Sequence, residues 1–453
     1  MSEAREESSG RASGEGRIDA DRTPWGNAER LRERMLRPGP QHSREEGARN
    51  QLERLYGAMV ASVADKGYAA TTVGDLLELS GVSRSSFYDL FRDKEDCFLA
   101  TFDALHDLAM AIVSTELEGE GTLEERARRG LRAMFESVVA QPAAADLCFN
   151  HPYDLGPPGH EALERSMTRF ADVIGPALAE INGREELPPE MLRALLGGAQ
   201  FILQVHLRRG EEDKLPDLAD HLMDWAISYE RPPIPLRLTG RHPREIQSYP
   251  PAFAAYSQPE RIIRAFAAVA GERGYPAVTI AEIAAKAQMS QATFYANFED
   301  KEAALLATLD SAAAQAMAVI LPSARRSPDW PHALRAGFGA LCFFSATEPE
   351  FARLAAVETA AAGPKALAQR DRSIEQMRVL MKPGFVLNPD VELFVADAII
   401  GAVWGLFYRV IVSKGPQAMP EIAPLASYIA LSPFIGAEAA AEVANGDGRG
   451  PRH

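Results

Sequence analysis

Apolar residues recur three or four positions apart along most of the chain, which is the spacing of one helix face. Six of them share a face of a first helix: Leu52, Leu55, Tyr56, Met59, Val60 and Val63. A second set does the same further on: Ile262, Ile263, Phe266, Ala267 and Ala270. Alternating runs of β-branched residues are few. The pattern therefore predicts an all-α protein.

One stretch of this pattern occurs twice. Ser83 to Glu95 reads SRSSFYDLFRDKE and Ser290 to Glu302 reads SQATFYANFEDKE, and an offset of 207 residues aligns them without a gap. The alignment extends upstream to Gly67 and Gly274. Self-similarity at a fixed offset indicates a duplicated structural unit. A weaker echo downstream sets Gly198 opposite Gly401.

The duplicated unit has the start and stop signals of two short helices. Gly67 ends a first helix, and Thr72 followed by Asp75 matches a capping box that starts a second. Gly81 and Ser83 provide a turn and the cap of a third helix. Two short helices joined by such a turn, behind a supporting helix, predict a helix-turn-helix.

The aromatic residues of the third helix separate into two faces. Phe87 and Phe91 are four residues apart and predict an anchor to the other helices, while Tyr88 is turned outward. Asp93 is placed to cap a fourth helix, whose free N–H groups and Lys94 suit a phosphate. For any one of these residues, an ordinary helical hairpin is the better explanation. The whole arrangement, present twice, favours DNA binding.

Composition limits the other functions. The 453 residues carry a net charge of −15, so any nucleic-acid contact must be local. Three widely spaced cysteines indicate a reducing compartment, and histidine spacing offers no metal site. We expect a cytoplasmic protein without a cofactor or membrane contact, since no apolar run looks long enough to cross a bilayer. Nucleophile-elbow and phosphate-loop motifs are missing, so an enzyme is not expected.

Residues 71–102 and 278–309 both resemble the DNA-binding domain of TetR-type bacterial transcriptional regulators. The resemblance implies a three-helix domain, a connecting fourth helix, and a divergent helical domain that binds a small effector and dimerises through its last two helices. It also implies phosphate contacts from Thr72, Tyr88, Lys94, Thr279, Tyr295 and Lys301. The positions implied to face base edges are Arg84, Ser85, Ser86, Gln291, Ala292 and Thr293.

The two copies differ at the turn and at the reading positions. Arg84 suits guanine and its counterpart Gln291 suits adenine. Gln288 replaces Gly81 in the turn, where a left-handed conformation would cost about 1 kcal/mol, and Glu299 replaces Arg92 near the backbone. We expect the first unit to bind DNA more strongly.

The repeat divides the chain into parts of predicted length. Helix-turn-helix domains are expected at 46–101 and 259–308, with helical effector domains at 102–232 and 309–440. Residues 1–45 and 441–453 are expected to be disordered, apart from a short helical stretch in 28–36. The proline-rich segment 233–258 is expected to be a linker, whose 26 residues reach about 85 Å when extended. That reach permits a pseudo-dimer within one chain, and a homodimer of tandem chains is the alternative.

Large apolar residues near polar ones are candidates for effector pockets, although each is more simply explained as bundle core. The first-half candidates are Phe135, Phe149, His151, Met167, Phe170, Phe201 and His206. The second-half candidates are Phe338, Phe343, Phe344, Phe351, Met377, Phe394, Trp404 and Tyr408. The sequence thus predicts a regulator, expected to be a repressor, that binds a double-stranded DNA operator and a small apolar effector. The alternative is a helical scaffold for ligands or proteins in which one or both helix-turn-helix units no longer bind DNA.

Overall fold

The computed structural model describes residues 22–36, 42–183, 185–237, 256–359 and 363–446. The chain folds into two compact units. The smaller contains the described residues up to Val113 together with Arg132–His151 and Leu203–Asp217. The larger contains Ser114–Leu131, Pro152–Ile202 and the described residues from Leu218 onward. This division crosses the expected first effector domain, 102–232, so the predicted domain boundaries stay predictions.

The described residues are almost entirely helical, which confirms the predicted all-α fold. In the first half the helices are α1 (Arg44–Ala70), α2 (Val73–Ser80), α3 (Arg84–Leu90), α4 (Lys94–Leu117), α5 (Leu123–Ala140), α6 (Pro142–Phe149), α7 (Pro157–Asn182), α8 (Pro189–Arg209) and α9 (Leu215–Ile227). Short 3₁₀ turns at His151–Leu155 and Glu212–Lys214 connect some of them.

The second half repeats this order of helices and ends with one more helix. Its helices are α10 (Gln258–Arg273), α11 (Ile280–Lys286), α12 (Gln291–Asn297), α13 (Lys301–Arg325), α14 (Trp330–Thr347), α15 (Pro349–Arg353), α16 (Pro364–Leu387), α17 (Val395–Lys414), α18 (Ala423–Ile435) and α19 (Ala437–Asn445). A 3₁₀ turn, Tyr275–Ala277, precedes α11, a π-helical turn, Leu354–Glu358, follows α15, and a 3₁₀ segment, Pro416–Ile422, precedes α18.

Part of the amino-terminal segment expected to be disordered is folded. Strands β1 (Arg22–Thr23) and β2 (Gly26–Asn27) pair antiparallel and lead into a 3₁₀ helix, Ala28–Arg34. Leu31 is fully buried, and Trp25 lies 5.2 Å from the Tyr56 ring, centroid to centroid. The expectation failed over 22–36 because a few apolar residues are enough when α1 supplies a surface to cover. Residues 1–21 and 37–41 lie outside the described part.

The other predicted ends and linkers are only partly described. Helix α19 runs to Asn445 with Ala440, Ala441 and Ala444 buried, so the disorder expected from residue 441 is wrong for 441–445. Alanines at helical spacing bury a face without bulky side chains. Residues 447–453, and most of the predicted linker, 238–255, lie outside the described residues.

Within the larger unit, the residues that follow α9 and helix α18 make reciprocal contacts. Tyr229 Oη donates to the Ile429 carbonyl at 2.8 Å, and Tyr428 Oη donates to the Glu230 carbonyl at 2.8 Å. Each tyrosine thus bonds to the residue after the other one. Both phenols are inside the protein, and burial raises the pKa of each.

Helices α8 and α17 cross close together at glycines. A Cβ on Gly197 would lie 3.6 Å from the Cα of Gly405, and one on Gly401 would clash with the Phe201 side chain. Glycine at such positions lets helix backbones approach closely. The two halves therefore meet through a pseudo-symmetric contact in which equivalent helices exchange equivalent bonds.

Within the described ranges, four helical segments are long and apolar enough to cross a membrane, by length and composition alone: Lys94–Leu117, Lys301–Arg325, Val395–Lys414 and Pro416–Ile435. The sequence expectation that no run reaches this limit was therefore wrong. In the last two segments, 67% of the apolar window is buried inside the protein, as expected of helices at the centre of a bundle.

Candidate nucleic-acid interface

Both helix-turn-helix units begin their second helix with a complete capping box. Thr72 Oγ1 accepts from Asp75 N at 3.3 Å, while Asp75 Oδ2 accepts from Thr72 N at 2.7 Å. Thr279 and Glu282 make the same pair of bonds at 3.3 and 3.0 Å. A hydrogen bond from Lys66 to Asp75 holds the pKa of that carboxyl at about 2, so the cap is ionised at neutral pH.

The third helix is held by one fully buried phenylalanine in each unit. Phe87 and Phe294 are both inaccessible to solvent, and their rings lie 5.6 and 5.9 Å from those of Phe91 and Phe298. Tyr88 and Tyr295 pack edge-on against the buried rings but remain 51% and 55% exposed. Each unit therefore has a core face and, next to it, an outward face with an accessible phenol.

The positions predicted to face bases lie at the start of α3 and α12. Arg84, Ser85, Gln291 and Ala292 are exposed. Ser86 and Thr293 are half-buried, and their hydroxyls lie 2.9 Å from the hydroxyl of the capping serine in each unit. The longer exposed side chains, Arg84 and Gln291, are thus the ones with most freedom to reach a base edge.

The two lysines predicted to contact phosphate also fasten the fourth helix to the rest of the unit. Lys94 Nζ donates to the Tyr68 carbonyl at 2.8 Å and lies 4.1 Å from the centroid of the Tyr68 ring. Lys301 bonds to the carbonyls of Tyr275 and Val278 at 3.3 and 3.2 Å. Partial burial lowers the pKa of both ammonium groups. An ammonium has three donors, so these bonds leave capacity for a phosphate.

The first turn of the fourth helix is capped as predicted. Asp93 Oδ1 accepts from Asp96 N at 2.9 Å, and Asp300 Oδ1 accepts from Ala303 N at 2.7 Å. The exposed Arg92 pairs with Asp96 at 3.2 Å, whereas Glu299 occupies the equivalent position in the second unit. The second unit therefore presents a carboxylate where the first presents a guanidinium.

The turn between the second and third helices is more strained in the second unit than in the first. Gly81 has φ 67° and caps α2 in the left-handed region. Gln288 at the equivalent position has φ 56°, the one positive φ of a non-glycine residue in the described ranges. The structure thus shows the predicted left-handed turn with a residue that L-amino-acid sterics disfavour there.

The second half encloses an apolar cavity of about 260 Å³ between α13, α14, α16, α17 and the π-helical turn. Five of the residues proposed from the sequence line it: Phe338, Phe344, Phe351, Met377 and Trp404. The other three lie elsewhere, because Phe343 is exposed, Phe394 packs on His221 and Tyr408 packs on Tyr153 and His160.

The first-half pocket candidates are spread over several environments. Phe135 is fully buried, Phe201 packs against Gly401, and Phe149 accepts a hydrogen bond from Gln204 through its carbonyl. His151 Nε2 lies 3.1 Å from Asp146 Oδ2. The remaining three, Met167, Phe170 and His206, are half-buried.

The sequence analysis missed the one charged residue among the described residues that line the cavity. Arg370 lines the cavity, although it stands in the charged run AQRDRS, which is typical of a solvated helix face. Helical periodicity alone does not distinguish this inward arginine from its exposed neighbours, because several charged residues stand together within one helical turn.

Comparison with known proteins gives a match in both units. The family model described as "Bacterial regulatory proteins, tetR family" matches residues 58–101 and again residues 262–308. No curated protein matches the chain.

Among solved structures, similar ones include the fatty acid degradation regulator FadR from Bacillus halodurans, at 15% identity over 38% of this chain and 97% of that one, with a TM-score of 0.36. FadR from Bacillus subtilis in complex with stearoyl-CoA is 15% identical over 39% of this chain and 97% of that one, with a TM-score of 0.35. A TetR family transcription regulator from Marinobacter aquaeolei VT8 is 22% identical over 38% of this chain and 93% of that one, with a TM-score of 0.33.

The two family matches coincide with the two capped, phenylalanine-anchored helix-turn-helix units described above. The chain therefore carries, in tandem, two units of the tetR family of bacterial regulatory proteins, at residues 58–101 and 262–308.

Proposed function

We propose that this protein is a ligand-responsive repressor that reads an asymmetric operator with two unlike helix-turn-helix units of one chain. The observation that carries the proposal is the division of each third helix into a buried phenylalanine and an exposed face. Arg84 and Tyr88 share that face in the first unit, and Gln291 and Tyr295 share it in the second. Exposed side chains of these types at the start of a recognition helix can reach base edges and phosphates.

Reciprocal contacts between helix α18 and the residues that follow α9 support a pseudo-dimer within the chain. The Tyr229 and Tyr428 hydrogen bonds and the glycine crossing of α8 and α17 bury the surface through which two separate copies would otherwise pair. A chain that satisfies this surface internally needs no second copy to present two recognition helices. Because the reading residues differ, the two half-sites would differ in sequence.

The cavity supports an effector site in the second half. Ala312 and Ala313 line it, and the 207-residue offset places Leu105 and His106 at the equivalent positions of the first half. Both of those larger side chains are buried, and His106 stacks on Phe102 with ring centroids 6.2 Å apart. We therefore assign effector sensing to the second half.

Helix α13 provides a route from the cavity to the second DNA-binding unit. Its residues Leu309 and Ala312 line the cavity, and its first residue, Lys301, bonds to backbone carbonyls of the segment just before α11. A ligand that displaces α13 would strain these bonds and tilt the recognition helix. The proposed result is release of the operator.

Footprinting of the intact chain on the DNA that flanks its own gene tests the function. We expect protection of two unlike half-sites centred about 10 base pairs apart, and affinity that falls steeply as salt rises. Protection of two identical half-sites would contradict the asymmetric reading. Binding that does not depend on salt or sequence would favour the scaffold alternative, to which the strained Gln288 turn and Glu299 already point for the second unit.

A further inference from the structure

The cavity of the second half has a single charged group among the described residues that line it. That group is Arg370, whose side chain is only 12% exposed. The rest of the lining is chiefly alanine, leucine, isoleucine, methionine and aromatic side chains. A guanidinium beside so much apolar surface attracts an anion more strongly than one in water, because little solvent screens its charge.

Most other polar side chains of the lining already bond within the protein. Ser345 donates to the Leu341 carbonyl at 2.9 Å and Ser373 to the Gln369 carbonyl at 3.3 Å. Thr359 donates to the carbonyls of Leu354 and Ala355 at 3.1 and 3.0 Å. These hydroxyls serve their own helices, so they contribute little polarity to the cavity.

Two neighbours on α16 define the polar end around Arg370. Gln369 directs its amide to the Leu306 carbonyl and Asp310. Asp371 Oδ1 lies 3.8 Å from Arg370 Nη2, which is an ion pair but longer than a hydrogen bond. A guanidinium has five N–H donors in a planar fork, which is more than an ion pair with one carboxylate uses.

We propose that the cavity binds a small amphiphile with an apolar tail and a carboxylate head, and that Arg370 binds the head. The planar guanidinium fork matches a carboxylate with two parallel hydrogen bonds. The volume of about 260 Å³ is slightly below that of pockets for drug-sized molecules, so a tail of medium length fits better than a long one. This inference rests on the proposed effector function of the same cavity.

The test compares three probes with a ten-carbon chain, each below its micellar or solubility limit: decanoate, 1-decanol and decyltrimethylammonium. Trp330 and Trp404 both line the cavity, so tryptophan fluorescence reports binding, and calorimetry gives the dissociation constants. We expect decanoate to bind about 10 to 100 times more tightly than decanol, the gain typical of a charge-assisted hydrogen bond. Decyltrimethylammonium should bind most weakly.

Variants then identify the group responsible. Arg370→Gln should remove the advantage of decanoate while leaving decanol binding unchanged, which also shows that the cavity remains folded. Arg372→Gln is the matched control, because Arg372 lies on the same helix but is exposed, and it should keep the full advantage.

The outcomes separate this inference from the function on which it depends. If decanol binds as tightly as decanoate, or if Arg370→Gln keeps the advantage, the carboxylate assignment is wrong and an apolar effector still stands. If none of the three probes binds, both the carboxylate assignment and the effector role of this cavity are wrong.

Discussion

The two helix-turn-helix units have the same core but are held to their surroundings by different contacts. In the first unit, Gly57 on α1 leaves room for the Leu31 side chain. A Cβ added to Gly57 would lie only 2.9 Å from Leu31 Cδ2. The equivalent residue in the second unit is Arg264, which pairs with Glu348 at 2.9 Å. One unit is thus covered by an amino-terminal segment and the other is fastened by an ion pair.

A second difference lies in the contacts that the later helices of each half make near the helix-turn-helix unit. Glu358, on the π-helical turn, accepts a hydrogen bond from Tyr275 N at 2.9 Å. The 207-residue offset places His151 at the equivalent position, and it pairs with Asp146 on its own segment. The π-helical turn also lines the cavity through Ala355 and Ala356. The second helix-turn-helix unit is thus bonded to the segment that lines the cavity, whereas the equivalent residue of the first half bonds to a residue of its own segment.

Removing the buried anchors is expected to have the largest effect. Phe87→Ala and Phe294→Ala should each destabilise their own unit by about 3 to 5 kcal/mol, because each ring is fully buried. If the first unit holds DNA more strongly, Phe87→Ala should abolish the footprint, while Phe294→Ala should leave one half-site protected.

Phe343→Ala is the control, since Phe343 is exposed. It should change neither the footprint nor the free energy of unfolding measured in urea. Equal loss of DNA binding in both anchor variants would remove the proposed difference between the units.

Loss of the amino-terminal cover should come next. Leu31→Ala empties a fully buried site against Gly57 and should lower stability by about 2 to 5 kcal/mol. Urea denaturation measures this change, and Met35→Ala, at an exposed position of the same segment, is its control. A Leu31→Ala protein as stable as the parent would show that residues 22–36 contribute nothing to the first unit.

Arg84 and Gln291, the exposed residues proposed to contact bases, should each affect base preference at a different half-site. Arg84→Ala should reduce discrimination at one half-site by about 1 to 3 kcal/mol, since a bidentate contact to guanine would be lost. Gln291→Ala should do the same at the other half-site or, if the second unit no longer binds DNA, should change nothing. Binding to a library of operator variants measures both, and unchanged base preference after Arg84→Ala would refute the docking of α3.

The carboxyl of Glu358 predicts a pH dependence. Burial raises its pKa, although the bond from Tyr275 N and the charge of Arg353 oppose this. At pH values between the ordinary carboxyl pKa and the raised one, Glu358 stays protonated in the folded protein, whereas the same carboxyl is ionised in the unfolded chain. The free energy of unfolding should therefore fall as pH rises through that window, by about 1.4 kcal/mol for each unit of pKa difference.

Glu358→Gln keeps an acceptor for Tyr275 N and cannot ionise, so its stability should fall less between pH 4 and 8 than that of the parent. Glu350→Gln removes an exposed carboxyl of α15 and should leave the parent slope intact. Equal slopes in parent and Glu358→Gln would mean that this carboxyl does not titrate abnormally.

Local signals predicted the helix-turn-helix units in detail, because capping boxes, the Gly81 turn and the Phe87 anchor act over four residues or fewer. Contacts between distant residues were not predictable in this way. Arg264 and Glu348 are 84 positions apart, and Tyr229 and Ile429 are 200 apart. No periodicity links such pairs, so the ion pair, the pseudo-symmetric contact and the inward position of Arg370 emerge only in the folded chain.

Substitutions in the turn between the second and third helices should have the smallest effect on stability. They also compare the two units directly, because each unit receives the residue of the other. Gln288→Gly should stabilise the second unit by about 1 kcal/mol, because glycine adopts φ 56° without the clash that a Cβ causes. Gly81→Gln should have the opposite effect in the first unit, and a larger one, since an added Cβ would also lie 3.2 Å from Arg32 Cγ. Urea denaturation of both variants measures the pair. If Gln288→Gly instead lowers stability, the side chain of Gln288 contributes more than its backbone strain removes, and the second turn is adapted to glutamine rather than degenerate.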